Sequence, residues 1–195
     1  MVEVGGMRLV CPNGRSGRPG LFRAGYTVGV EIRTPLRNPP VPTIQVGDKS
    51  PPFQAKLQDG STFDSTSLLG RKSLVLFFYP KDNTPVCTQQ ACAFRDAYAQ
   101  FVGAEVEVVG VSSDSPESHK RFAAKHSLPF PIISDADGAM RRLFGVPRAL
   151  GIFPGRVTYV IDKEGVVRMV YNATLAAEPH VRKALDAVGV ATSSS

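Results

Sequence analysis

The chain has 195 residues, 43% of them apolar, and a net charge of +6. That is enough for one domain with a full hydrophobic core plus an extension. No apolar run approaches the roughly 20 residues of a membrane helix, and three cysteines are too few for a secreted disulfide framework. The charge is not that of a nucleic-acid binder. Residues 1–45 hold Arg8, Arg15, Arg18, Arg23, Arg33 and Arg37 against Glu3 and Glu31, so +4 of the +6 sits there. The remaining body is nearly balanced, without a basic stripe interleaved with aromatics.

Residues 1–44 are rich in Gly, Pro and Arg and lack periodicity, which predicts a disordered leader. Arg-rich, acid-poor composition is also a feature of organelle transit peptides. A plain extension is the alternative, since the leader has a single serine, Ser16, and Glu3 near its start. Cys11 lies in it and reads as an idle thiol. A folded domain is expected over 45–190, followed by a frayed tail, 191–195.

Within the domain, Phe53 to Leu57 and Ser61 to Phe63 read as two short strands around Gln58-Asp59-Gly60. Ser65 to Leu69 reads as one helical turn closed by Gly70. Ser73 to Tyr79 is an apolar run with the length and composition of a strand buried on both faces. A helix follows, ending near Gly103, with Phe94, Tyr98, Phe101 and Val102 at helical spacing. Glu105 to Ser112 is the next strand. A helix starts at Ser115-Pro116-Glu117 and runs to His126. A short strand is expected at Pro131 to Ser134 and a short helix from Asp137 to Phe144. Arg156 or Val157 to Asp162 and Val166 to Tyr171 pair as a hairpin across Lys163-Glu164-Gly165. Glu178 to Val188 is a final helix stopped by Gly189. Strand–helix alternation ending in a hairpin and a helix implies an α/β sandwich. His119, His126 and His180 form no metal-ligand pattern and read as surface residues of helices.

The chemistry concentrates between strand and helix, at Pro80-Lys-Asp-Asn-Thr84-Pro85-Val86-Cys87-Thr-Gln-Gln-Ala-Cys92. Asn83 or Thr84 can cap the helix, and Pro85 suits its first position, so Cys87 falls in the first turn. There the unpaired N–H groups and the dipole favour negative charge, and the thiolate is cysteine's reactive form. The bland alternative is a small buried core residue.

The pattern Pro80-x-x-x-Thr84-x-x-Cys87 resembles the active-site motif of the peroxiredoxins. The run from Cys87 to Asp96, with Cys92 inside it, is similar to that of the Q-type branch, also called bacterioferritin comigratory protein. The resemblance spans roughly Gln45 to Gly189. It implies a thioredoxin-like fold with a central mixed sheet, no cofactor, and reduction of hydrogen peroxide or organic hydroperoxides. It further implies that Cys87 is peroxidatic, that Cys92 resolves through an intramolecular disulfide, and that a thioredoxin-type protein restores the dithiol. It suggests a monomer, and a chloroplast address if the leader is a transit sequence, with the cytoplasm as the alternative. Arg156, in a Pro-Gly-Arg context, resembles the family arginine that favours the thiolate and orients peroxide. The bland reading of Arg156 is an ion pair at a strand end. Arg95 reads as helix packing or a local salt bridge.

Peroxide cleavage by a thiolate needs donors for the peroxide oxygens and control of the leaving charge. Helix-start amides and Thr84 supply donors, and Pro80 shields the sulfur. Thr84 and Pro80 are otherwise ordinary cap and loop residues. On an intact helix, positions 87 and 92 have Cα atoms about 8–9 Å apart, beyond the about 7 Å that a disulfide tolerates. A Cys87–Cys92 bond therefore requires unwinding. Val86 stands where Q-type members usually carry Gly, which predicts slower unwinding or a narrower pocket. Two other readings remain in play: a general disulfide oxidoreductase, against which the four-residue gap counts, and a non-enzymatic redox sensor or binding module.

Overall fold

The computed structural model describes residues 43–149, 153–173 and 175–190. The tail, Cys11 and the leader up to residue 42 lie outside the described residues. Ile44 is buried in the core.

β1 (Gln54–Lys56) and β2 (Thr62–Asp64) pair antiparallel, and a single 3-10 turn (Ser65–Leu68) follows. β3 (Ser73–Phe78) leads into α1 (Pro85–Asp96), α2 (Tyr98–Gly103), β4 (Val106–Ser112) and α3 (Pro116–His126). Then come β5 (Ile132–Ser134), α4 (Ala139–Leu143), and two residue pairs, β6 (Arg148–Ala149) and β7 (Phe153–Pro154). β8 (Val157–Ile161), β9 (Val167–Asn172) and α5 (Glu178–Ala187) are the last elements among the described residues. The expected helix to Gly103 is broken at Ala97, whose backbone (φ −90°, ψ 0°) ends α1 and starts α2. The β6–β7 pair was not expected.

The main sheet has the order β5-β4-β3-β8-β9. β4 runs parallel to β3 and β5, while β8 is antiparallel to β3 and β9. This is the α/β layering that the alternation implied, and the central mixed sheet that the resemblance implied. β3 sits at the centre and sends alternate side chains to opposite faces. Val75, Phe77 and Tyr79 join the core beneath α1, α2, α3 and α5, with Phe94, Phe101, Phe122 and Leu185. Leu74, Leu76 and Phe78 join the other core, with Phe53, Phe144 and Tyr159. Phe77 stacks on Phe94 with ring centroids 4.4 Å apart. Burying each such ring contributes about 1.5–3 kcal/mol, so the first half of α1 rides on a helix–sheet contact anchored in its second half.

The histidines correct the sequence reading. His119 and His180 are fully buried, and His126 is half-buried. His119 shares the inward face of α3 with Phe122, three residues on. His180 begins the α5 stripe of Val181, Ala184 and Leu185.

Candidate active site

The loop from Pro80 to Thr84 joins the C-terminal end of β3 to α1. Asn83 takes the left-handed region (φ 58°), which Asn tolerates better than most residues. Thr84 occupies the N-cap position in an extended conformation, and Pro85 is the first helical residue. The Thr84 hydroxyl makes no cap bond and donates instead to the Lys81 carbonyl at 3.0 Å. Pro80 is half-buried at the start of the loop.

Cys87 is the third residue of α1 and only 2% exposed. Arg156, just before β8, is equally buried and donates from Nη2 to Cys87 Sγ at 3.2 Å. Its Nη1 donates to Gln90 Oε1 on the next turn of α1. The fork of one guanidinium thus holds the sulfur and an amide oxygen on the same helix face, a geometry that a lysine could not reproduce. The strand-end ion pair weighed for Arg156 does not describe this buried contact. The loop segment carrying Arg156 packs closely: an added Cβ on Gly155 would run into the Pro147 carbonyl oxygen. Only glycine fits there.

Cys92 is half-buried on the same helix, and neither sulfur is bonded. Arg95 pairs with Asp96 at 2.8 Å and donates to the His126 carbonyl at 2.9 Å, tying the second half of α1 to α3. That matches the packing and salt-bridge role expected of it.

Beneath the loop lies a polar network that sequence reasoning did not find. Buried Asp82 accepts from the Tyr79 hydroxyl (2.7 Å), the Ser118 hydroxyl (2.8 Å) and His119 Nδ1 (2.9 Å). Its N–H donates to Asp114 Oδ2 at 2.9 Å. Burial would push the Asp82 carboxyl up, but the hydrogen bonds from His119, Tyr79 and Ser118 hold it below the usual carboxylate range. Burial and the Asp82 charge push the Tyr79 hydroxyl well above its ordinary value, so it stays a donor. The loop before Cys87 is fastened from below, whereas Cys87 is held from the side by Arg156. Gln90 was also missed. Its signal was spacing: three residues after Cys87, it falls on the same helix face.

A buried cysteine in the first turn of a helix, with a guanidinium on its sulfur and a second cysteine along the same helix, defines a thiol-based redox centre on an α/β scaffold. Residues 46–170 match the AhpC/TSA family. "Peroxiredoxin Q, chloroplastic" of Populus jackii is 43% identical over 165 residues, 84% of this chain and 77% of that protein. The Sedum lineare protein of the same description is 49% identical over 143 residues, 73% of this chain and 76% of that one. Among solved structures, peroxidoxin BcpB of Mycobacterium tuberculosis superposes with a TM-score of 0.70 at 34% identity, covering 77% of this chain and 99% of that chain. A peroxiredoxin Q of Xanthomonas campestris gives a TM-score of 0.65 at 31% identity, covering 70% and 89%. The chain belongs to the AhpC/TSA family, with Q-type peroxiredoxins among its relatives. It has their thioredoxin-like fold and is a thiol-dependent peroxidase, an oxidoreductase that draws on thioredoxin-type reductants.

Proposed function

We propose that Cys87 is the peroxidatic residue, Cys92 the resolving one, and Arg156, Thr84 and Pro80 the groups that prepare the sulfur and its substrate. The observation that carries this reading is the buried Arg156 Nη2 to Cys87 Sγ contact of 3.2 Å. A fixed cation on the sulfur favours the thiolate and meets the negative charge that develops as the O–O bond breaks.

The Cys87 thiolate attacks the terminal peroxide oxygen. An S–O bond forms, the O–O bond breaks, and the departing hydroxide or alkoxide takes a proton to leave as water or alcohol. Cys87 becomes a sulfenic acid. The Thr84 hydroxyl, one turn before the sulfur, can accept from the peroxide O–H and donate in return, after letting go of the Lys81 carbonyl. Pro80 keeps water off the site without adding a donor. Cys92 sulfur then displaces water from the sulfenic acid, giving the Cys87–Cys92 disulfide, and a dithiol of the thioredoxin type returns both to thiols by exchange. The substrates are hydrogen peroxide and organic hydroperoxides. Resolution inside one helix needs no second subunit, which favours a monomer. The descriptions of the plant relatives and the Arg-rich leader favour a chloroplast protein whose catalytic domain runs to about residue 190 and already includes Ile44, one residue earlier than the sequence suggests.

Peroxide turnover with a thioredoxin system tests the assignment. Cys87→Ser is expected to abolish it. Cys92→Ser is expected to consume one peroxide per molecule and then stall. Full turnover by Cys87→Ser would end the assignment.

A further inference from the structure

Arg141 is a second enclosed guanidinium beside the site, and none of the steps above uses it. Its side chain is 11% exposed and lies 3.7 Å from Asp135 Oδ2 through Nε. Nη2 donates to the Tyr79 carbonyl at 2.6 Å, and Nη1 to the Gly155 carbonyl at 3.2 Å. Tyr79 immediately precedes Pro80, and Gly155 immediately precedes Arg156. One side chain therefore bridges the two chain segments that carry the loop before Cys87 and the cation on its sulfur.

The backbone explains why a bridge is needed. The β3–β8 ladder ends at Phe78↔Val157. Extended by two residues it would set Pro80 opposite Gly155, and Pro80 has no N–H to offer. Tyr79 is tied on its other side, its N–H donating to the Val111 carbonyl at 3.0 Å. Arg141 is itself held. Asp135 accepts from the Met140 and Arg141 N–H groups at 2.8 and 3.1 Å, fixing the start of α4, and the guanidinium lies over the Phe78 ring, 5.8 Å from its centroid.

We propose that Arg141 is a positioning residue for the peroxidase reaction: its fork, closed on the Tyr79 and Gly155 carbonyls, sets the distance between the Pro80 loop and Arg156. This rests on the roles given to Cys87 and Arg156 above. A lysine keeps the charge but not the planar fork, so it holds one carbonyl at a time.

The test compares the full-length wild type with Arg141→Met, Arg141→Lys and Cys87→Ser. Hydrogen peroxide turnover is measured with dithiothreitol as reductant, alongside the pH profile of Cys87 alkylation by iodoacetamide and the Tm. Misplacing a reacting group by about 1 Å costs about 100-fold, so Arg141→Met is expected to lose about 10–100-fold in kcat/KM. Arg141→Lys should fall between it and wild type. The alkylation midpoint should move to higher pH in both, because Arg156 no longer sits squarely on the sulfur. A folded Arg141→Met with wild-type kcat/KM and alkylation profile overturns the proposal. Should Arg141→Met not fold, Arg141→Lys decides: a lowered Tm with wild-type kinetics and profile makes Arg141 a structural residue only. Activity surviving in Cys87→Ser would be a different failure, that of the cysteine assignment beneath it.

Discussion

At the scale of single residues, the site turns on how Arg156 divides its donors. One prong goes to Cys87 Sγ and another to Gln90 Oε1. Gln90 is fully buried, and its Nε2 has no partner among the described residues. An amide buried with half its capacity unused is costly, so its worth lies in aiming the guanidinium. Gln90→Leu, similar in volume and without the acceptor, is expected to lower kcat/KM for peroxide about tenfold, the size of one lost charge-assisted hydrogen bond, with little loss in Tm. Stopped-flow peroxide consumption and a thermal melt measure both. Gly155→Ala is expected to lower stability as well as activity. The new Cβ meets the Pro147 carbonyl oxygen, which cannot yield without moving the loop. Overpacking of this sort costs about 1–3 kcal/mol, so Tm and activity should fall together. A Gly155→Ala protein with wild-type Tm would mean that the loop gives way freely.

At the scale of elements, α1 has to be two things. As observed, it is one helix from Pro85 to Asp96, and at helical rise its cysteines are about 8–9 Å apart. The Cys87–Cys92 disulfide proposed above would require its first two turns to open. Those turns are held by Gln90 and Cys87 against Arg156, contacts that oxidation of the sulfur disturbs. The rest is held by Phe94 against Phe77 and by Arg95 against the end of α3. Opening should therefore stop before Phe94. Val86 lies at the second helical position and resists opening through its restricted χ1 and φ/ψ space. Val86→Gly is expected to speed disulfide formation after a single pulse of peroxide about twofold, through the few tenths of a kcal/mol by which Gly is a poorer helix former than Val. Mass-spectrometric timing of the disulfide measures it, and an unchanged rate would defeat the idea. The same element shows what the sequence carries legibly. Thr84-Pro85 marks the start of α1, and the apolar run marks β3 to within one residue. The break at Ala97 is invisible, since Asp96-Ala97-Tyr98 contains no helix breaker. Arg156 could be nominated only by resemblance, because its contact with Cys87 spans 69 residues. Arg141, Asp82 and His119 gave no motif at all. Each serves the site through a backbone carbonyl or a polar partner that only the fold brings near.

At the scale of the whole molecule, the buried histidines tie distant elements together, and reading them as surface residues overlooked this. Their apolar neighbours at helical spacing were the available sign. His180 links α5 to the sheet. Nδ1 lies 2.8 Å from the Thr158 hydroxyl and Nε2 lies 3.1 Å from the Ala173 carbonyl. A carbonyl can only accept, so Nε2 carries the proton and Nδ1 accepts from Thr158 in the neutral ring. Burial pushes the His180 pKa down from 6.5 to about 4; the Ala173 carbonyl opposes this, and the Arg156 charge adds to it. Above pH 6.5 the ring is neutral in both folded and unfolded chains, and its contribution to stability is complete. Between pH 6.5 and about 4 the unfolded chain takes up a proton that the folded one refuses, so stability falls as the pH falls. Below about 4 both states are protonated and the loss ends. The loss is on the order of 3 kcal/mol. His126 is shifted in the same direction, chiefly by burial, so wild type alone cannot isolate the effect. His180→Gln keeps a donor for Ala173 and an acceptor for Thr158 but does not titrate. Urea unfolding at pH 8, 7, 6, 5 and 4.5 is expected to show a shallower acid decline in this variant than in wild type, with the two slopes equal between pH 8 and 7. Parallel declines through the whole window would mean that the His180 ring takes up its proton at the same pH in the folded and unfolded chains, and that burial does not hold it neutral.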